Sequence, residues 1–396
     1  MGDSTTRLRA EALIDAMHNS APAQGLTHTF YKYPARFSPV FARAAITAFS
    51  EPGEVILDPF MGSGTTLVEA LTTGRHAIGS DINTLAYFLA QVKTTLLAPG
   101  ECAQVAQWAA SIGEHLRLAG PRRSAIPPLP PHDDPSQRGI PRQLLQVIAA
   151  IRAAMDQLPH PAQHRLVQCA LLRTAQWALD CTKTFPSVPL FRQHFIKVTG
   201  ELLQGLEELR TQLKSGSGAS QPQTVCLNVP AADLYPTLWE AELPQPPTLI
   251  VTSPPYPSVH VLYHRWQIKS RKEVSTPYWI TDQLDGRGEA YYTMGSRTPT
   301  GLDTYFRTIE VSFARLYQVV ATDALVVQLL AFSHIETQLP RYLAAMEHAG
   351  FAECLHLVED ASAGRMWRRV PLRRWYASYQ GNTPSSHEVL LLHRRR

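Results

Sequence analysis

The chain has 396 residues, 44% hydrophobic and 18% charged, with a formal net charge of +4. That length bounds one large domain or two ordinary ones, no apolar run approaches the roughly 20 residues of a membrane-spanning helix, and no apolar signal core opens the chain. The small positive charge permits a polyanionic partner without demanding one, and five scattered cysteines without a CxxC pair argue for reduced thiols in a cytoplasmic protein rather than a zinc site or disulfide framework.

In chain order, "GEVILDPF" predicts a buried strand from Val55 to Leu57 that ends at Asp58. "GSGTTLVEALTTG" then reads as a glycine turn opening a helix, which Gly74 terminates. "RHAIGSDIN" gives a second short strand with Asp81 at its tip. Strand, glycine turn, helix and strand form a βαβ unit, which predicts a parallel doubly wound sheet.

From about residue 100 to 221 the strand signals vanish. Phe191, Phe195, Val198, Leu202, Leu206, Leu209 and Leu213 recur at spacings of three and four, as do Leu144, Leu145, Ile148, Ile151 and Met155, so two amphipathic helices are expected. Between Pro121 and Pro141 the chain is too proline-rich for either element and reads as a linker. Strands resume at Thr224–Val229, Thr248–Ser253 and Ala324–Ala331, and "AECLHLV" and "HEVLLLH" suggest two antiparallel edge strands. The organisation expected is one α/β domain, with its cofactor half in 1–99 and its catalytic half in 222–396, interrupted by a helical insertion at 100–221.

A glycine turn at a strand's carboxyl end lets a ligand approach backbone N–H groups that a Cβ would block. A phosphate-binding GxxxxGK[ST] loop fails here, because no lysine follows Gly64; a nicotinamide fingerprint lacks its third glycine, Leu67 standing there. A plain tight turn stays open. So does a nucleoside-type cofactor along the turn, with Asp81 accepting hydrogen bonds from ribose hydroxyls. Asp81 alone could equally cap a helix.

Further on, Thr252-Ser253-Pro254-Pro255-Tyr256 stiffens the chain where a buried strand emerges, although prolines suit a central strand poorly. Together with Asp58-Pro59-Phe60-Met61-Gly62-Ser63-Gly64-Thr65-Thr66, it resembles the amino-methyltransferases that modify exocyclic nitrogens of DNA bases. "FYKYPARFSP" (Phe30 to Pro39) is similar to a family segment lying against the methionine half of the cofactor. The resemblance covers the α/β part and implies a Rossmann-like methyltransferase fold, mostly parallel with an antiparallel edge hairpin. It also implies S-adenosyl-L-methionine as cofactor and no metal. Cofactor contacts would come from Tyr33, Phe37, Asp58, Phe60, Gly62, Ser63, Gly64, Thr65 and Asp81, and Asp233 or Asn228, just past the third strand, would approach the cofactor adenine.

The resemblance makes Ser253, Pro254, Pro255 and Tyr256 the catalytic loop. An exocyclic base amine is a poor nucleophile because its lone pair is delocalised into the ring. Acceptors on its two N–H bonds favour the tetrahedral geometry that attack needs, and a rigid Pro-Pro pair can supply a carbonyl while Ser253 Oγ supplies the other acceptor. Tyr256 would stack on a flipped base, a contact worth about 1–3 kcal/mol. A serine in the first position usually accompanies cytosine N4 in this family, whereas aspartate or asparagine accompanies adenine N6.

Double-stranded DNA is the partner implied, with a cognate restriction endonuclease as a further candidate. Arg265, Lys269, Arg271 and Lys272 lie among Tyr263, Trp266 and Trp279, and Arg365, Arg368, Arg369, Arg373 and Arg374 lie beside Trp367 and Trp375. Such mixtures suit phosphate pairing and wedging into a duplex, but solvated faces with inward aromatics would read the same way. An RNA amino-methyltransferase and an inactive DNA-binding protein on the same scaffold are the rival readings.

Overall fold

The computed structural model describes residues 12–19, 24–32, 37–115, 139–180, 182, 184–215, 221–257, 266, 268, 276–282, 294–295, 298–354, 365–369 and 387–396. The chain begins with helix α1 (12–18) and helix α2 (Pro39–Phe49), which starts on a Ser38 cap followed by a proline. Strand β1 (Val55–Asp58) is buried along its whole length. It feeds helix α3 (Thr65–Thr72), which starts from Gly64 in the left-handed conformation (φ 80°). Strand β2 (His76–Ser80) follows, then helix α4 (Thr84–Thr94), where the Asn83 side chain caps the Ala86 N–H.

After the insertion come β3 (Thr224–Leu227), β4 (Leu249–Thr252) and a short helix α9 (Thr276–Thr281). Helix α10 (Pro299–Val319), β5 (Leu325–Ala331) and helix α11 (Ile335–His348) follow. The chain closes with β6 (Phe351–Glu353), β7 (Met366–Arg369) and β8 (His387–Arg395).

These strands form one eight-stranded sheet in the order β3-β2-β1-β4-β5-β8-β6, with β7 pairing β8 as well. The first five run parallel, and β8 runs antiparallel against β5, β6 and β7. This is the mostly parallel, Rossmann-like sheet expected. The antiparallel part is more than an edge hairpin, because β8 lies inside the sheet with partners on both sides. Strand order reverses at β1, whose neighbours are β2 and β4, and in open parallel sheets the ligand crevice forms outside the carboxyl ends at such a point.

The described elements of the insertion are helices joined by short connections: α5 (Pro99–His115), α6 (Arg142–Ala154), α7 (Pro161–Leu179) and α8 (Val188–Ser215). The sequence periodicity located α6 and α8. It did not show α5, whose buried face is only Val105, Trp108, Ala109 and Ile112, or α7, whose buried face mixes alanine, threonine, cysteine and glutamine with leucine, a low-contrast stripe. Phe191, Phe195, Leu202 and Leu206 share a core with Phe30, Tyr31, Phe88, Trp266, Tyr278 and Ile280. The insertion's apolar residues therefore pack onto α4 and onto the segments that follow the Ser253–Tyr256 loop. Each such large side chain contributes about 1.5–3 kcal/mol by its burial. The proline-rich linker lies outside the described residues up to position 138.

Strand β3 stops short of Val229, whose carbonyl accepts the Ser80 hydroxyl at 2.5 Å. That side-chain bond draws the chain after β3 over the end of β2.

Candidate active site

Three segments meet where the sheet reverses: the glycine turn after β1, the acid after β2 and the proline loop after β4. The turn is held down on β2 by the Met61 N–H, which donates to the Ser80 carbonyl at 3.0 Å. Gly79 permits this closeness, since a Cβ there would meet the Met61 sulfur at 2.5 Å and Leu67 at 2.7 Å. Gly62 and Gly64 both have positive φ, and a Cβ on Gly64 would press on Ala90 at 3.0 Å. Ser63 is buried and its Oγ accepts from Lys93 Nζ at 2.9 Å. Lys93 is fully buried on α4, and in the sequence it reads as an ordinary helix-end lysine. Thr65 is buried at the start of α3, and Phe60 packs against the second core.

Asp81 stands beside this turn. Its Oδ2 accepts the Gly62 N–H at 2.9 Å and its Oδ1 the Asn83 N–H at 2.8 Å. A carboxylate offers about four lone-pair sites, so about two acceptor positions remain on its half-buried surface. Burial, the largest effect, pushes its carboxyl up to about 6 against the two backbone donors, with Asp58 adding a smaller repulsion. Asn228 donates through Nδ2 to the Asp81 backbone carbonyl at 2.8 Å. Of the two exposed candidates past the third strand, Asn228 is joined to Asp81, while Asp233 lies on a short helical turn (Ala231–Asp233).

Asp58 does not line the turn as a ligand contact would. It is buried beneath it, accepting the Thr252 hydroxyl at 2.7 Å and the Phe60 N–H at 3.2 Å through Oδ1. Burial pushes this carboxyl up to about 6 as well, although Thr252, Thr66 and Phe60 each favour its charged form. What separates it from Asp81 is burial rather than the number of filled acceptor positions: Asp58 is 3% exposed and joins β1 to β4. Thr66 Oγ1 reinforces the junction by donating to the Val251 carbonyl at 3.3 Å.

Pro254 is buried, and Ser253, Pro255 and Tyr256 are half-buried. The Ser253 hydroxyl lies 3.0 Å from the Leu329 carbonyl and 3.3 Å from the Tyr256 oxygen. The Pro255 carbonyl is taken by the Tyr305 hydroxyl at 2.8 Å. Tyr256 donates to Glu388 Oε1 at 2.6 Å, and Arg368 Nε donates to Glu388 Oε2 at 2.7 Å. Burial, and then the Glu388 charge, hold the Tyr256 phenol well above its ordinary value. Glu388 went unread in the sequence, because a lone acid opening an apolar strand looks like solvent-facing punctuation.

Phe37 packs edge-on against Phe41 at 5.4 Å, whereas Tyr33 lies outside the described residues. The expected DNA contacts fare unevenly. Arg368 is buried against Glu388, with its guanidinium 5.8 Å over Phe41, so it is a site-building residue rather than a phosphate contact. Arg365 is half-buried and forks onto Glu353 at 2.7 and 2.8 Å. Trp266 is fully buried with its indole N–H on the Tyr31 hydroxyl at 2.8 Å, and Trp367 packs against the second core. Fully buried Trp266 cannot wedge into a duplex from there. Trp279 lies under Arg152. Arg265, Lys269, Arg271, Lys272, Arg373 and Arg374 fall outside the described residues, as does the side chain of Arg369.

Among the described residues no group of three or more His, Cys, Asp or Glu could hold a metal ion, and no helix is long and apolar enough to cross a membrane.

Residues 14–91 match the N6/N4 methyltransferase family model described as "DNA methylase". The type II methyltransferase M.MvaI of Kocuria varians is 40% identical over 79 residues, 19% of this chain and 17% of that protein. The DNA adenine methyltransferase YhdJ of Escherichia coli is 38% identical over 58 residues, 15% of this chain and 20% of that one. The matches therefore span a fifth or less of these relatives' length. An rRNA methyltransferase, aviRa from Streptomyces viridochromogenes, aligns over 99% of this chain and 93% of its own at 9% identity with a TM-score of 0.34. The cofactor that the matched family implies is S-adenosylmethionine. The chain fits it in two respects: a glycine turn without side chains in the way, and a neighbouring acid with acceptor capacity to spare.

Proposed function

We propose that this chain is an S-adenosylmethionine-dependent DNA amino-methyltransferase that methylates cytosine N4 within a specific duplex sequence. The observation that carries the reading is the Thr252–Asp58 hydrogen bond, which joins the proline loop to the strand bearing the glycine turn. Methyl acceptor and methyl donor are thereby addressed from adjacent strand ends.

When bound, S-adenosylmethionine supplies an electrophilic methyl on a sulfonium. Asp81 would take the ribose hydroxyls, and the Gly62–Gly64 turn would lie along the cofactor's polar end. Asn228, fixed at the Asp81 carbonyl, supports the adenine side better than Asp233. At the base, Ser253 Oγ would accept one amine hydrogen. The half-buried Tyr256 ring would stack on the extruded cytosine, whose flipping is required because a paired amine is out of reach. Neighbouring acceptors fixed in advance need no reorganisation as charge develops on the amine. Bound S-adenosylmethionine would supply the methyl for direct transfer to the base nitrogen without a covalent base adduct, while Ser253 Oγ would hold one of the two amine hydrogens. Of the described cysteines, Cys169 and Cys354 are buried, and burial pushes the thiols of Cys169 and Cys226 up to about 12. Neither group suits the covalent base adduct that methylation at carbon would use.

Adenine N6 is the second reading, favoured by the similarity to a relative named as a DNA adenine methyltransferase. Incorporation of labelled methyl into duplex DNA, followed by digestion to nucleosides, separates the two. N4-methylcytosine is expected, N6-methyladenine would transfer the assignment, and label in total RNA with none in DNA would overturn it. Single-molecule sequencing of the modified DNA would give the recognition sequence, and a partner nuclease acting on that sequence belongs to the same proposal.

A further inference from the structure

The antiparallel course of β8 starts it at the edge where the parallel strands end, so Glu388 arrives beneath the proline loop opposite Ala331 of β5. On its other side Arg368 of β7 stands directly across the ladder. The side chains of Arg368 and Glu388 are 6% and 8% exposed. Each Glu388 oxygen has its own donor, Arg368 Nε on Oε2 and the Tyr256 hydroxyl on Oε1. An ionised carboxylate only accepts, so the Tyr256 proton points at Glu388. The Leu329 carbonyl likewise only accepts, so the Ser253 proton points at Leu329. The Ser253–Tyr256 oxygen separation of 3.3 Å exceeds the usual O–H···O range of about 2.5–3.0 Å, which fits an arrangement with no proton between them.

We infer that Glu388, fixed by Arg368, is a positioning residue that draws the Tyr256 hydroxyl proton away from Ser253 and so leaves the Ser253 oxygen lone pairs for the amine of the target base. The inference rests on the methyl-transfer reading and deepens it. The polarity of the chain is set at a residue more than a hundred positions from the loop, and it decides whether Ser253 meets the base as an acceptor or is already occupied.

Glu388→Gln tests this polarity, because the amide has a single acceptor oxygen for two donors. Arg368 holds that oxygen, the amide N–H₂ turns to Tyr256, and the phenolic proton is released toward Ser253. Steady-state methylation of duplex DNA should then show kcat lower by about 10-fold, with KM for DNA and cofactor within about 2-fold. Tyr256→Phe deletes the competing proton, so adding Glu388→Gln to Tyr256→Phe should cost nothing further. Should Glu388→Gln fail to fold beside its unpaired Arg368, Arg368→Gln/Glu388→Gln removes both charges and should fold, again with lowered kcat that Tyr256→Phe renders silent. Full kcat in a folded 388 variant, or losses that multiply in the Tyr256→Phe background, would overturn the inference. Wild-type protein that methylates no DNA would overturn the methyl-transfer reading itself, a result distinct from active wild type with unaffected variants.

Discussion

Thr252 and Asp58, 194 residues apart, are joined by a 2.7 Å hydrogen bond between the final residues of β4 and β1. Both are buried, so neither side chain can exchange its partner for water. Replacing Thr252 by valine keeps the shape and removes the donor. The expected loss is about 1–3 kcal/mol, the cost of leaving a buried acceptor short of a partner. Urea denaturation of the variant checks it, and methylation should fall along with stability as the two loops lose register. Unchanged stability would reduce the bond to a bystander.

Asp81 predicts a pH dependence of cofactor affinity. Its folded-state carboxyl is raised to about 6, and it accepts ribose hydroxyls best when ionised. Affinity for S-adenosylmethionine, measured by calorimetry between pH 5 and 8, should rise through about pH 6 and level off near 7. Asp81→Asn should bind about 10-fold more weakly and flatten the profile. Stability of the cofactor-free protein carries the opposite sign. An acid with a raised pKa contributes stability that is fully present below its ordinary value near 3.8 and is lost as pH rises through about 6. A rising profile in the Asp81→Asn variant would reassign the dependence to another group.

Gly79 should matter more than its inconspicuous place in a strand suggests. Gly79→Ala drives a Cβ into Met61 and Leu67 and should cost about 1–3 kcal/mol by overpacking, with weaker cofactor binding as the turn lifts off β2. Gly53 is the contrast. It has φ of 88° and open space around it, so Gly53→Ala should cost about 1–2 kcal/mol of backbone strain and leave cofactor affinity unchanged. Equal cofactor affinity in the two variants would remove the special role of Gly79.

Trp266 should behave as core. Trp266→Ala is expected to cost about 3–5 kcal/mol, whereas Trp266→Phe loses mainly the bond to Tyr31, about 1 kcal/mol. Duplex affinity of the folded Trp266→Phe protein, measured by fluorescence anisotropy, should match wild type. A selective loss of DNA binding without loss of stability would return Trp266 to the interface that its basic neighbours suggest.

The sequence by itself determined the strand–turn–helix around Gly62 and Gly64, the acid that follows β2, the proline loop after β4 and the helical character of 100–221. Each is a local matter: a positive φ needs glycine, a buried short strand needs a continuous apolar run, and two prolines stop a ladder. What only the tertiary structure decided was who meets whom. Asp58, expected at the cofactor, is buried and accepts the Thr252 hydroxyl across β1 and β4. Arg368 looked like a phosphate contact and is an inward counter-charge, and Glu388 looked like nothing at all. Periodicity separates apolar from polar positions but carries no address, and a buried arginine and a solvated one are written with the same letter. The choice between them came from an antiparallel strand, which returns its first residues to the edge where the parallel strands finish. That placement follows from long-range pairing and could not be read from any window of the chain.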